Sequence, residues 1–430
     1  MKTFHIHISR RRFLKTSAAV AAGTALPAWF LEETRSYAAA PKPLSPNDKP
    51  GIALVGCGGQ GRGDCDWARN FGQVIAVCDV DEKHVAEAAK QFNAPHKYKD
   101  FRKVMERDDV HVVINGTPDH WHTLVNLAAI KAGKDIYSEK PLTLTIDEGK
   151  RLVKAVKEQK TVFQTGSQQR SDRNFRLACE LVRNGRLGKL QHILVGLPTG
   201  PREGPFKAVP VPPELDWDFY LGQTPKVDYN GHNCHWNFRW WYQFSGGQMT
   251  DWGAHHNDIA QWGNGPERSG PVEVDGKSFV DMIPGGYDAA AEYEVKFKYA
   301  NGVAMTATNR APNGVKFDGS DGWIFVSRGE IKASKPELLE ESLPAGAVRL
   351  YKSDNHMGNF FECIRSRQAP ICEAEIGHRS ISVAHLGVIS VRLGRPLKWD
   401  PAKEEFVGDN EANKWLSREM RKPYDYSYIG

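Results

Sequence analysis

Between residues 51 and 166 the apolar positions fall into short blocks separated by amphipathic stretches. Ile52–Val55, Val74–Cys78, Val110–Asn115, Asp135–Tyr137 and Thr161–Gln164 are nearly continuous apolar runs, as strands buried on both faces require. Helical spacing lies near 64–70, 81–92, 99–107, 121–132 and 146–159. Strand and helix alternating in this way predict an α/β domain over 51–166, a doubly wound parallel sheet with helices on both faces. The second half changes period. A helix over Arg173–Arg183 stops at Asn184-Gly185, and Gln191–Leu197 reads as a strand. Residues 198–235, rich in Pro, Gly and aromatics, read as a long ordered loop. Ala291–Tyr299 alternates with period two, turns at Asn301-Gly302 and returns as Val303–Thr308, a hairpin with one buried face. Trp323–Val326 and Glu330–Ala333 follow as strands, and helices return over 355–366 and 379–394. The expectation for 167–398 is a C-terminal α+β domain with a mostly antiparallel open sheet, and for 399–430 an extended polar and aromatic tail.

Length agrees with two units, since 430 residues exceed one ordinary core. The net charge of +5 is scattered along the chain without a basic patch, which argues against nucleic acid as a partner. Of the seven Cys, Cys57, Cys65 and Cys78 fall in a turn, a helix and a strand of the first domain, positions that suit buried thiols and not a disulfide framework. The first forty residues stand apart. Ser9-Arg10-Arg11-Arg12-Phe13-Leu14-Lys15 opens a mild apolar stretch, Thr16–Phe30, and Ala38-Ala39-Ala40 offers an A-x-A cleavage site. The segment resembles a twin-arginine export signal. Residues 1–40 are therefore read as a signal peptide, 41–50 as a linker, and the protein as periplasmic or exported. The apolar stretch is short and Ala-rich for a membrane span, and nothing later in the chain spans a bilayer.

The chemistry begins at the first turn. Gly56, Gly58 and Gly61 stand in G-x-G-x-x-G spacing directly after an apolar strand and before a helix. Such a turn brings backbone N–H groups, here including Gly59, Gln60 and Arg62, up to a dinucleotide pyrophosphate. Asp79 ends the second strand, 18 residues beyond Gly61, where a carboxylate accepts bonds from the adenosine ribose and repels a 2′-phosphate. The cofactor expected is NAD, with NADP disfavoured.

Three further stretches carry polar side chains that a packed core would not select: Thr117-Pro118-Asp119-His120-Trp121-His122, Glu139-Lys140-Pro141, and Gly246 to Asp258. In the last, Asp251 and His255 are four apart and share a helix face, with Asp258 one turn further. A His flanked by carboxylates is a proton acceptor near neutral pH. With the glycine turn, Thr117-Pro118 with His122, Glu139-Lys140-Pro141 and Asp251-x-x-x-His255, the chain resembles the Gfo/Idh/MocA family over about residues 50–400. That resemblance implies an N-terminal Rossmann domain, a C-terminal domain whose open sheet often makes oligomer contacts, and hydride transfer at a sugar or cyclitol carbon. It implies Lys140, Asp251 and His255 as the catalytic group. Thr117, Pro118, His122, Glu139 and Lys140 join the glycine turn and Asp79 as cofactor-binding residues. Gln248 departs from the small residue many members carry there.

The run Trp236-Asn237-Phe238-Arg239-Trp240-Trp241-Tyr242 leads into the Asp251 element. Aromatic faces stack on sugar rings, so Arg239, Trp240, Trp241 and Tyr242, with Arg170 and His255, are the expected substrate-binding residues. His232, Cys234 and His235 have poor metal spacing, and no metal is expected. The reading is an NAD(P)-dependent oxidoreductase acting on a carbohydrate or polyol with a tightly bound cofactor. A redox-neutral glycosidase or epimerase working through a keto-sugar, and a non-catalytic sugar-binding protein, are the alternatives. An exposed antiparallel sheet points to a homodimer or homotetramer.

Overall fold

The computed structural model describes residues 26–31 and 49–429. Most of the expected signal and linker, residues 1–25 and 32–48, therefore lies outside the described residues.

Six parallel strands build the first domain: β1 (Gly51–Val55), β2 (Gln73–Cys78), β3 (His96–Tyr98), β4 (Val112–Asn115), β5 (Asp135–Ser138) and β6 (Phe163–Thr165). Their order, β3-β2-β1-β4-β5-β6, reverses between β1 and β4. A crevice opens at the carboxyl ends where the order reverses. Register makes this specific. Val55 lies opposite both Cys78 and Asn115, and Asn115 opposite Ser138. The residues that follow these strand ends therefore emerge along one edge. Strand β3 carries no apolar signal, because His96-Lys97-Tyr98 is a short, half-exposed edge. The first helix begins at Gly59 and not near residue 64.

The second domain is a nine-stranded sheet of β7 (Leu190–Gly196), β8 (Glu273–Ser278), β9 (Tyr293–Lys298), β10 (Ala304–Thr308), β11 (Gly314–Gly319), β12 (Trp323–Ser327), β13 (Glu330–Ala333), β14 (Leu397–Asp400) and β15 (Glu405–Phe406). The order is β13-β12-β11-β7-β10-β9-β8-β14-β15, and only β7 and β10 pair in parallel. In β9, Tyr293, Val295 and Phe297 are buried while Lys296 and Lys298 are exposed. The buried face packs on the helices Arg173–Arg183, Gly253–Asn264 and Ala374–Leu393, around Leu177, Ile259, Trp262 and Phe317.

The two domains interlock. Met357, Phe360 and Phe361, on the helix His356–Ser366, share a core with Ile52, Leu54 and Tyr137 of the first sheet. The long loop after β7 crosses onto the first domain, where Asp216 N–H donates to Val80 (3.0 Å) and Glu82 N–H to Glu214 (3.0 Å). The predicted tail is not a free extension. Its start forms β14 and β15, and its end packs Tyr424 and Tyr428 against Trp121. Within the expected signal, residues 26–31 are described. Phe30 lies in the second domain's core, 1% exposed. All seven cysteines are buried and unpaired, as expected. No helix among the described residues is long and apolar enough to cross a membrane.

Candidate active site

A cavity of about 980 Å³ lies between the domains along the carboxyl edge of the first sheet. At its first-domain end Gly56 has φ +86°, and a Cβ there would stand 2.4 Å from the Thr117 nitrogen. A Cβ on Gly61 would stand 2.1 Å from the Gly56 carbonyl oxygen. These two glycines let the helix Gly59–Ala68 start directly behind the turn. Gly58 is its N-cap, with no side-chain cap. The first N–H groups of this helix are thus available to an anion, beside Gly58 and Gly59, whose missing Cβ atoms leave open space. Asp79 lines the same end. One carboxylate oxygen accepts from Cys57 N–H (2.7 Å) and the other from Asp81 N–H (3.0 Å), which fixes its orientation at this end of the cavity. Thr117, Pro118 and Gln60 also line this end. The residues present fit a dinucleotide.

At the other end, Lys140 leaves β5 and its Nζ bonds Asp251. The second Asp251 oxygen accepts from Arg239 Nη1 at 2.8 Å. Asp251 is 4% exposed on its side chain, held between two cations. Burial alone would raise its pKa, but Lys140 and Arg239 outweigh burial and hold it below the ordinary carboxylate value. Burial likewise opposes charge on Lys140, yet Asp251 and Glu139 carry the net shift upward. Lys140 is therefore a cation at neutral pH. His255 faces the same cavity with the opposite sign. Burial, then the positive charges of Lys140 and Arg328, push it well below its ordinary pKa, so the ring is neutral. Its Nδ1 is buried and unbonded, which leaves Nε2 as the nitrogen open to the cavity.

Comparison with known proteins agrees with this geometry. The NAD-binding Rossmann fold of an oxidoreductase family matches residues 51–167, and that family's C-terminal alpha/beta domain matches 202–426. The chain belongs to the Gfo/Idh/MocA oxidoreductase family. A twin-arginine translocation signal matches residues 7–27, so this family member is exported by that pathway. Myo-inositol 2-dehydrogenase of Thermotoga maritima is 25% identical over 373 residues, spanning 83% of this chain and 99% of that protein. A glycosyl hydrolase family 109 protein from a Shewanella strain is 28% identical over 207 residues, 43% of this chain and 45% of that protein. Among solved structures, levoglucosan dehydrogenase in complex with NADH superposes with a TM-score of 0.62 at 18% identity, covering 81% of this chain and 99% of that one.

Several expected site residues of this Gfo/Idh/MocA protein lie elsewhere. Arg170 is 1% exposed and holds Asp258 through two bonds (2.7 and 2.8 Å) and Glu267 through a third (2.8 Å). It is a core ion pair, not a substrate contact. Asp258 is consequently engaged by Arg170, and among the described residues His255 has no carboxylate partner. Trp240 is buried below the Arg239 guanidinium, Trp241 packs on Phe206 and Tyr287, and Tyr242 lies between Arg392 and Arg418. None of the three lines the cavity. Trp236 does: it is 73% exposed and stacks over Arg239 at 3.6 Å. Arg62 pairs with Glu87 (2.8 Å) away from the cavity lining. His122 is buried, its ring nitrogens 2.7 and 2.8 Å from the carbonyl oxygens of Pro141 and Thr117. Burial lowers its pKa to about 4, so the ring is neutral and donates to only one of the two carbonyls; it lies outside the cavity lining. Glu139 lines the cavity and accepts from Gln168 (2.7 Å).

Among the lining residues that the expected site left out are Asp119 and Arg328. Asp119 bonds Ser245 (2.5 Å), and burial raises its carboxyl to about 7. It was visible as the residue after Thr117-Pro118. Arg328, in the turn between β12 and β13, had no sequence signal. Asp81, His84 and His235 also come together, with potential ligand atoms within 4.8 Å, whereas His232 and Cys234 do not join them. His235 there lies 3.3 Å from Asp81, whose other oxygen caps the helix Glu82–Phe92.

Proposed function

We propose that this NAD-dependent oxidoreductase acts on a carbinol carbon of a sugar or polyol, with His255 as the proton acceptor and Lys140 as the oxyanion stabiliser. The observation that carries the reading is the paired electrostatics: a lysine held charged by Asp251 shares one cavity with a histidine held neutral. NAD, when bound, accepts the carbon-bound hydrogen as hydride. The substrate hydroxyl sits between the two side chains, and His255 Nε2 takes its proton. Lys140 Nζ donates to the same oxygen and is strongest where negative charge develops. Asp251 keeps Lys140 charged and, through Arg239, fixes where it points. Trp236 and Trp252 supply aromatic surface against a sugar ring.

Export bears on the cofactor. A protein carried folded through the twin-arginine pathway takes NAD from the cytoplasm, and the interlocked domains favour its retention. A retained cofactor must return its hydride within the site, either to a second substrate or to the same sugar after a further step. The similarity to glycosyl hydrolase family 109 proteins favours the redox-neutral form as a second reading. The exposed face of the nine-stranded sheet is the surface we assign to a homodimer or homotetramer.

Lys140→Ala tests the core of this. The variant binds NAD as the parent does and loses turnover by about 10²–10³. Near-parental turnover with any sugar or polyol substrate refutes the assignment.

A further inference from the structure

Arg328 is the cation at this site without an ionic partner. The turn Ser327-Arg328-Gly329-Glu330, with Gly329 at φ +79°, carries it out of the second sheet. Its guanidinium lies 4.6 Å from the ring of Trp252, the residue between Asp251 and the His255 helix. It lines the same cavity. Among the described residues no carboxylate lies within ion-pair distance of it. The three acids that influence it are Asp251, Glu139 and Asp172, and each is already engaged. Asp251 holds Lys140 and Arg239, and Glu139 accepts from Gln168. Asp172 accepts from the Asn174 and Phe175 N–H groups as a helix cap. Arg170, by contrast, has two carboxylates bound. Gln169, which also lines the cavity, has neither amide atom bonded. A partly buried guanidinium whose neighbours are all spoken for lacks the anion that its fork fits best.

We propose that Arg328 binds a carboxylate on the substrate, so that the sugar is an acid sugar such as a hexuronate. This rests on the reading of the site as a sugar or polyol oxidoreductase. A monoanion suits the place better than a phosphate, because three acids already surround a single free cation. The dinucleotide pyrophosphate is not the missing anion, because the glycine turn that fits it belongs to the first domain, whereas Arg328 stands on Trp252 beside His255.

The test compares D-glucuronate and D-galacturonate with their parent aldoses, using NAD-loaded protein and Arg328→Gln. In the parent enzyme kcat/KM for one uronate should exceed that for its aldose by ten- to a hundredfold and fall as ionic strength rises. In Arg328→Gln the advantage should vanish through KM, which rises for the uronate and not for the aldose. Aldoses preferred by the parent, or an equal loss for both substrate types in the variant, overturns the inference while the oxidoreductase reading stands. If neither sugar type is turned over, or binds in a saturation-transfer NMR experiment, both fail together.

A separate observation concerns processing, and the packing assigns residues 26–31 to the working protein. Phe30 is 1% exposed in the second-domain core, and Arg176 lies over its ring at 4.4 Å. Trp29 Nε1 donates to the Leu339 carbonyl (3.2 Å) and its ring meets Phe30 edge-on. Cleavage at Ala38-Ala39-Ala40 would remove this pair and empty its socket. The matched signal ends at residue 27, and Gly23-Thr24-Ala25 places small residues where a signal peptidase needs them, leaving Leu26 first. Intact-mass measurement of the exported protein should give an N-terminus at or before Leu26. A chain starting at Pro41 overturns this. Phe30→Ala should melt several degrees lower, and an unchanged melting temperature would overturn the docking.

Discussion

Asp251→Asn separates the electrostatic argument from mere packing. Asn keeps the volume and the polar contacts but removes one negative charge from between two cations. The exposed side-chain fractions are 4% for Asp251, 17% for Lys140 and 14% for Arg239, so little water can replace the lost charge. Removing one partner of a buried pair costs about 3–5 kcal/mol. The lower end applies here, since Arg239 remains stacked between Trp236 and Trp240 at 3.6 and 4.9 Å. The effect on Lys140 is more telling. Its upward shift exists because Asp251 and Glu139 outweigh burial. Without Asp251, burial dominates and its pKa moves down. The alkaline limb of kcat/KM should move to lower pH, and turnover at alkaline pH should fall by about 10²–10³. Lowering the pH should restore part of the loss, which a purely structural defect would not allow. Asp251→Glu, which keeps the charge, should retain more activity than Asn. Because Asp251 acts through Lys140, Lys140→Met/Asp251→Asn should be no worse than Lys140→Met alone. The measurement is the pH profile of substrate-dependent hydride transfer on NAD-loaded protein. A parental kcat with an unshifted alkaline limb in Asp251→Asn refutes the reasoning.

Other expectations follow from single side chains. Asp79→Ser should weaken NAD about tenfold and narrow its advantage over NADP, read by titration of each cofactor; an enzyme that already prefers NADP contradicts the role of Asp79. Arg170→Met strands the buried Asp258 and should destabilise the protein by about 3–5 kcal/mol in denaturant titration, with the substrate KM unchanged; a changed KM at parental stability would return Arg170 to the substrate site. Asp119 carries a folded-state pKa of about 7, above its unfolded value of about 3.9. Its ionisation is therefore disfavoured in the fold, and stability present below about pH 4 is lost as pH rises toward 7. Asp119→Asn should flatten that decline in melting scans from pH 4 to 8; an unchanged slope rejects the assignment.

How far the sequence reached depended on the range over which each signal acts. The glycine turn, Asp79 and the Lys140 loop are set by strand ends, and period-two and period-3.6 patterns locate strand ends well. Lys140, Asp251 and His255 could be named because each lies on a short motif, and the fold brings all three to one cavity. Misplaced residues have side chains directed by tertiary partners. Arg170 looked available because nothing local reveals Asp258 and Glu267, 88 and 97 positions away, as its ligands. The aromatic run misled for a related reason. Composition says that Trp236 to Tyr242 is sticky, but the irregular turn over His235–Trp240 decides which rings face inward. It buries Trp240 and leaves Trp236 at the cavity. Strand β3 and the Arg328 turn carried no pattern at all.

The same contrast explains why an acid and a base can coexist a few side chains apart. Burial by itself would neutralise both Lys140 and His255, and only the charged partner distinguishes them. Lys140 has Asp251, whereas the carboxylate that the i, i+3 spacing offers His255 is taken by Arg170. In the proposed mechanism the buried Arg170–Asp258 pair therefore acts without touching substrate: by claiming Asp258 it leaves His255 neutral and able to accept a proton. An uncharged imidazole beside a charged ammonium is the arrangement that alcohol oxidation needs, and here it follows from which basic side chain captured which acid.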